Sequence, residues 1–218
     1  MIISNDIFIY QKMTTLYRKR ERLTMKKGLS ALKEARFNAI LDSATILLVE
    51  NPTASMNEIA KYAGIGIATL HRYVESREKL MLFLGHRAIH LVSDTVNQIP
   101  LDEERSEKYI PELIEALIPL GDKIYFLGHD ASVFNHKELG EAEEKLRKPI
   151  RHVIELLQQR GYFQQTVSSE WILNTLYALL FHTWEQVHEG NVPKNSAAEL
   201  FLNTFYYGFK AKDELRGN

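Results

Sequence analysis

Three groups of side chains stand at spacings that do chemistry. His86 and His90 lie four residues apart, the spacing of two metal ligands on one helix face, and Glu185-Gln186-Val187-His188 is a Glu-x-x-His. Di-iron bundles need two such motifs and further glutamates, and the chain has one. With no cysteine there is no thiolate nucleophile, zinc-thiolate site or disulfide framework. Glycine-rich phosphate loops, Gly-x-Ser-x-Gly elbows and His-Glu-x-x-His are absent too. A helical-bundle metalloenzyme is thus the weaker alternative, and neither cofactor nor catalytic residue is expected. The third group is Ile67, Ala68, Thr69, His71, Arg72 and Tyr73. These offer methyls, hydroxyls, an imidazole and a guanidinium, the chemistry that reads base edges and phosphates in a major groove.

The elements around that third group position it. Phe37, Ile40, Leu41, Ala44, Leu47 and Leu48 recur at helical spacing, and Asn51-Pro52 ends their helix. Ser55-Met56-Asn57-Glu58 is a capping box that opens a short helix, stopped by Gly64. A third helix starts after Ile65 and Gly66, and Ser76 caps a long fourth one that ends at Gln98-Ile99-Pro100. Gly64 takes a left-handed turn cheaply. Ala60 and Gly64 are small enough for close crossing, and Ile59, Ile65 and Leu70 form a wedge. Two short helices around a glycine turn read as a helix-turn-helix.

Three segments carry a family likeness: Glu58-Ile59-Ala60-Lys61-Tyr62-Ala63-Gly64-Ile65, Thr69-Leu70-His71-Arg72-Tyr73 and Ser76-Arg77-Glu78-Lys79-Leu80. Together they resemble the tetracycline-repressor (TetR) family over about Phe37 to Leu84; the rest agrees only in layout. Gly66 stands where the family has a serine cap, His71 where it has tyrosine, and Val74 where it has phenylalanine. The resemblance implies a DNA-binding regulator, with Arg77 at the family's lysine position holding a backbone phosphate. Tyr73, Thr69 and His71 become phosphate or base-edge contacts, Arg72 reaches guanine edges, and Ile67 and Ala68 touch thymine methyls. Ser55 caps its helix against the backbone, while Lys33 and Arg36 add nonspecific attraction.

Composition agrees with an all-α fold. Gly and Pro together are 17 of 218 residues, few breakers for a chain with 45% hydrophobic residues. Candidate helices in the rear are Ser106–Leu117, Pro119–Leu127, Lys137–Gln159, Ser168–Glu189 and Ser196–Lys212. The net charge of −1 conceals a division. Residues 1–80 hold 13 Lys+Arg against 8 Asp+Glu, and residues 81–218 hold 14 against 20. A basic front and an acidic rear suit a polyanion-binding head on a body that binds none. The expected organisation is a basic tail over 1–29, a helix-turn-helix domain over 30–80 and a helical effector-binding and dimerisation body over 81–218. A true start at Met25 would make residues 1–24 an upstream extension.

In the body, Trp171 to Trp184 carries ten apolar residues of fourteen. That is too short for a membrane span and apolar nearly all round, so it is buried on more than one side. With Leu200, Phe201, Leu202, Phe205, Tyr206 and Phe209 of the final helix, it makes a four-helix interface in a homodimer, as the resemblance implies. Two heads then read a palindromic double-stranded operator at half-sites one turn apart. Tyr125, Phe126, His129, Phe134, Tyr177, Phe181 and Trp184 can line an effector pocket, with His129 and His182 as polar contacts. The expected protein is a cytoplasmic repressor released from DNA by a small molecule. The nearest alternative is a DNA-binding dimer without such an effector, a nucleoid or partner-regulated factor.

Overall fold

Helical periodicity becomes helix throughout. The computed structural model describes residues 31–130 and 137–209, and among these no strand occurs. The tail expected over 1–29 and Phe134 lie outside the described residues, and of His129 only the backbone is described. The chain divides into two units at Asp42/Ser43. In the first, residues 31–42 form the opening of helix α1 (Ala31–Glu50), with Phe37, Ile40 and Leu41 buried and Lys33 and Arg36 exposed.

The second unit holds the end of α1 and the remaining helices. Ala44 and Leu48 are buried, and Leu47 is half-buried. Helices α2 (Met56–Tyr62) and α3 (Ile67–Val74) pack on each other through Ile59, Ala60 and Leu70. Ile65, expected in that wedge, is only half-buried. Gly64 makes the turn with φ +66°, a conformation in which an L side chain is strained. Between α3 and α4 (Arg77–Val96), Glu75 takes φ +58° and the Ser76 amide donates to the Val74 carbonyl at 2.6 Å. This three-residue turn stores about 1–3 kcal/mol of strain. It lets Ser76 accept from the Lys79 amide at 3.1 Å and start α4 at once.

Helix α4 runs unbroken through residue 80, the expected end of the head, and packs against α5 (Tyr109–Leu117) and α7 (Lys137–Gln159). The helix expected from Ser106 begins only at Tyr109. Asp102 accepts from the Glu104 amide and caps a 3-10 turn over Glu103–Lys108, and Arg105, at φ −119° and ψ 38°, breaks the α geometry within it. The single helix expected over Pro119–Leu127 is three short pieces. They are a 3-10 turn Ile118–Leu120, α6 (Gly121–Ile124) and a 3-10 turn Tyr125–His129. Helices α8 (Ser169–His188) and α9 (Ala197–Phe209) pack on each other, α8 also on α7 and α9 also on α5. Phe163, Phe201 and Phe205 join them in one aromatic cluster.

Trp184 explains the glycine at 121. Its buried indole donates to the Leu117 carbonyl at 3.2 Å and lies flush on the α6 backbone. A methyl on Gly121 would fall 2.6 Å from Trp184 Cγ, inside van der Waals contact. Gly121→Ala is therefore expected to destabilise the protein by about 2 kcal/mol, the cost of overpacking a filled core. Thermal denaturation should show the midpoint falling by roughly 6 °C; an unchanged midpoint would mean the indole can step aside freely.

Candidate nucleic-acid interface and body cavity

Two buried residues on α3 decide which of its side chains face out. Leu70 and Val74 have no exposed surface, so Ile67, Ala68, His71 and Arg72 are exposed, and Thr69 and Tyr73 are half-buried. The six α3 residues expected to meet DNA therefore share one accessible surface of a single helix. Arg72 lies 5.9 Å from the centre of the Tyr73 ring, a cation–π contact that limits where the guanidinium can swing. His71 Nδ1 is 2.8 Å from the Glu75 carbonyl. A carbonyl only accepts, so Nδ1 carries a proton, and the tautomer with that proton alone presents Nε2 as an acceptor. This ring can therefore take a hydrogen bond from an adenine or cytosine amino group, which tyrosine's hydroxyl would do in a different place.

Ser55 and Arg77, also expected at DNA, have partners inside the fold. The Ser55 amide and hydroxyl both donate to Glu58 Oε2 at 2.7 Å, and the Glu58 amide donates back to Ser55 Oγ at 3.3 Å. These bonds, that from the amide foremost, hold the Glu58 carboxyl below the usual range. The box at the N-terminus of α2 is thus complete. Arg77 donates from Nη2 to the Pro52 carbonyl at 2.9 Å and from Nη1 to the Ala54 carbonyl, and its Nε lies 3.3 Å from Asp130. Its guanidinium clasps the loop before α2 to the start of α4. The resemblance implies a phosphate contact for it; the fold gives it three internal partners.

The body contains a cavity of about 500 Å³. Tyr125, Tyr177 and Phe181 line it, as expected of three of the aromatic residues, and His182 stands on its wall. Phe126 and Trp184, expected there, are 2% and 4% exposed and belong to the core instead. Trp184 is turned inward by its bond to Leu117. Five of the lining residues were not anticipated: Gly128, Glu143, Arg147, Ala178 and Glu185. Helical spacing could have found the charged ones. Glu143 and Arg147 are one turn apart on α7, and Tyr177, Phe181 and Glu185 recur every four residues on α8.

Arg147 is the best-held side chain of the wall. It is 14% exposed, lies 4.7 Å over the Tyr177 ring, and pairs with Glu143 at 3.4 Å and Glu170 at 3.1 Å, while donating also to Asn174. Burial pushes the Tyr177 phenol up, and burial followed by Glu185 and Glu189 pushes the Tyr125 phenol up. Tyr125 also donates its hydroxyl to the Val49 carbonyl in the last turn of α1. One wall residue is therefore bonded to the helix that leads into the head.

The spacings read as metal ligands lead elsewhere. Among the described residues no group of three or more His, Asp or Glu converges on one point. Glu185 pairs with His182 at 3.3 Å, and His188 stacks on Tyr125 with ring centres 4.3 Å apart. Among the described residues no helix is long and apolar enough to cross a membrane.

No protein-family model matches the chain. It is 23% identical over 179 residues to the helix-turn-helix transcriptional repressor LfrR of Mycolicibacterium smegmatis, covering 82% of this chain and 93% of that one. A helix-turn-helix regulator of Mycobacterium tuberculosis is 48% identical over 56 residues, 25% of this chain and 28% of that one. Among solved structures, LfrR in complex with proflavine superposes with a TM-score of 0.60 over 78% of this chain and 94% of LfrR, at 23% identity. A transcriptional regulator from Saccharomonospora viridis in complex with choline gives 0.61 over 82% and 99%, at 19% identity. All of these are named as transcription regulators and none as an enzyme. By the helix-turn-helix geometry, the all-α layout and these similarities, the chain has the fold of the TetR-like transcriptional regulators.

Proposed function

We propose that the protein is a cytoplasmic, homodimeric repressor that reads a palindromic operator through α3 and releases it when a small molecule fills the body cavity. The observation that carries this reading is the one-sided burial of α3. Leu70 and Val74 are sealed, and Ile67, Ala68, Thr69, His71, Arg72 and Tyr73 remain accessible. Lys33 and Arg36, both exposed, serve as nonspecific phosphate contacts in this reading. Residues 30–80 act as the reading head and residues 81–218 as the sensing and pairing body, a functional division within a continuous α4.

Pairing of two chains is supported by the exposed apolar side chains on the last two helices. Trp171 on α8 is 64% exposed, and Leu200 and Tyr207 on α9 are 49% and 71% exposed. Leu200, Thr204 and Tyr207 follow helical spacing, so they form one stripe. Water contact on that scale disfavours a lone chain, and a two-fold partner covers identical stripes at once.

Release requires a path from cavity to head. The 3-10 turn Tyr125–His129 supplies it, since Tyr125 lines the cavity and bonds Val49, and Asp130 at its end holds Arg77. Arg77 in turn grips Pro52 and Ala54, just ahead of α2. A ligand that moves this turn changes bonds at both edges of the head's base. The coupling needed is about 1–3 kcal/mol, within reach of one or two such bonds. The proteins solved with proflavine and with choline give the same reading a precedent of regulators that hold a small molecule.

The decisive experiment selects bound sites from a random DNA pool at low salt. A two-fold symmetric consensus with half-sites about one turn apart is expected; recovery of no enriched sequence sinks the reading. On the selected duplex, Arg72→Ala should weaken binding by about 1–3 kcal/mol and relax the choice at one base position. Arg77→Met should instead lower the melting temperature while leaving the slope of affinity against salt unchanged; a slope reduced by about one would make Arg77 a phosphate contact after all. Tyr125→Phe should bind ligand and DNA separately but lose most of the release, which a DNA-release titration reads directly.

A further inference from the structure

The bond that holds the His71 ring limits what that ring can hold in turn. We propose that His71 takes the exocyclic amino group of an adenine or a cytosine through Nε2, and that a methyl on that base nitrogen weakens binding, so the protein senses the methylation state of its operator. This deepens the reading of α3 as the DNA-reading helix and rests on it.

Two bonds tie His71 to Glu75. The Glu75 amide donates to the His71 carbonyl at 2.9 Å, and His71 Nδ1 donates to the Glu75 carbonyl at 2.8 Å. A helical carbonyl four residues ahead would point along the axis, away from His71. Glu75, at φ +58° and ψ −56°, turns its carbonyl back instead. With Nδ1 so engaged, Nε2 is the ring nitrogen left to meet DNA. His71 is exposed, and Ile67 and Ala68, one turn earlier on α3, are exposed with it.

The groups that DNA offers decide the partner. A neutral ring with its proton on Nδ1 has a lone pair at Nε2 and no second proton to give. Phosphate oxygens only accept, so this ring gains nothing from the backbone. The donors in the major groove are the adenine N6 and cytosine N4 amino groups, whereas guanine and thymine present acceptors there. A tyrosine hydroxyl both donates and accepts, and so serves phosphate and base alike. An imidazole anchored at Nδ1 has no such choice.

Each of these amino groups has two hydrogens, one in the base pair and one facing the major groove. Methylation at N6 or N4 keeps the pair and puts the methyl in the groove, where the second hydrogen stood. Nε2 then meets a methyl, with its lone pair out of water and unmatched, which costs more than a bond never formed. Binding therefore depends on methylation as well as on sequence at one position of each half-site.

The test uses the full chain and the duplex selected from random DNA, at about pH 8, where imidazoles are neutral. Duplexes carrying N6-methyladenine or N4-methylcytosine at each adenine or cytosine in turn are compared with the unmodified one by fluorescence polarisation. At one position methylation should weaken binding about fivefold or more, and the base modified there tells adenine from cytosine. His71→Ala, folded by circular dichroism, should bind more weakly and no longer distinguish the two forms. His71→Lys, which only donates, should not restore affinity. Methylation without effect at every position overturns the inference, and so does an effect that survives His71→Ala. A His71→Lys protein that regains the lost affinity and steepens the salt slope by about one also overturns it, because that response marks a phosphate. If no sequence is selected at all, the reading of α3 fails and takes this inference with it.

Discussion

Leu70 and Val74 must be buried together, and almost everything else about the head follows from that requirement. A helix of eight residues has too few backbone bonds to hold its own shape in water, so tertiary packing must hold it. Burial of those two side chains against α2 and α4 supplies the packing and at the same time fixes the rotation of α3 about its axis. Rotation decides which residues meet solvent. Among the described residues from 31 to 80, Gly64, at φ +66°, and Glu75, at φ +58°, are the two with positive φ, and they sit just before and just after α3. The strain is placed where it sets the angle of one short helix.

The same economy joins head to body. No long loop separates them; α4 starts at a serine cap one residue after the strained turn and continues for 20 residues into the body. Arg77, in its first turn, reaches backward to two carbonyls of the preceding loop and sideways to Asp130. An arginine suits this place because its planar fork serves two or three acceptors at once, which a lysine ammonium does with less geometric control. At the position where the resemblance places lysine, Arg77 thus has partners set by the conformation of the preceding loop.

Local signals were legible in the sequence and convergent ones were not. The capping box at Ser55, the cap at Ser76, the glycine turn and the bounds of α7 and α8 came directly from residue types at fixed offsets, because caps and breakers act over three or four residues. Helix α5 began three residues late because Arg105 leaves helical geometry, which no residue type announces. The cavity was half legible. Aromatic residues were identified by kind, but whether a ring faces a void or the core depends on a partner far along the chain, as Trp184 depends on Gly121 and Leu117. The role of Arg147 in the wall likewise depends on Tyr177, thirty residues on, whose ring lies under the guanidinium.

The distribution of charge follows from these placements. Between residues 43 and 80 the chain has four Lys+Arg and four Asp+Glu, so the helix-turn-helix itself carries no net charge. One of the four cations, Arg77, is bound within the fold. The surplus of the front lies earlier, with eight Lys+Arg against two acids from Arg18 to Arg36. In the proposed reading, attraction to phosphate and reading of bases fall to different segments of the sequence. Counterion release scales with the number of phosphates neutralised and is blind to sequence. In the proposed reading, α3, with one cation, an imidazole and two apolar side chains, is expected to contribute little to that nonspecific affinity and most of the discrimination between sites.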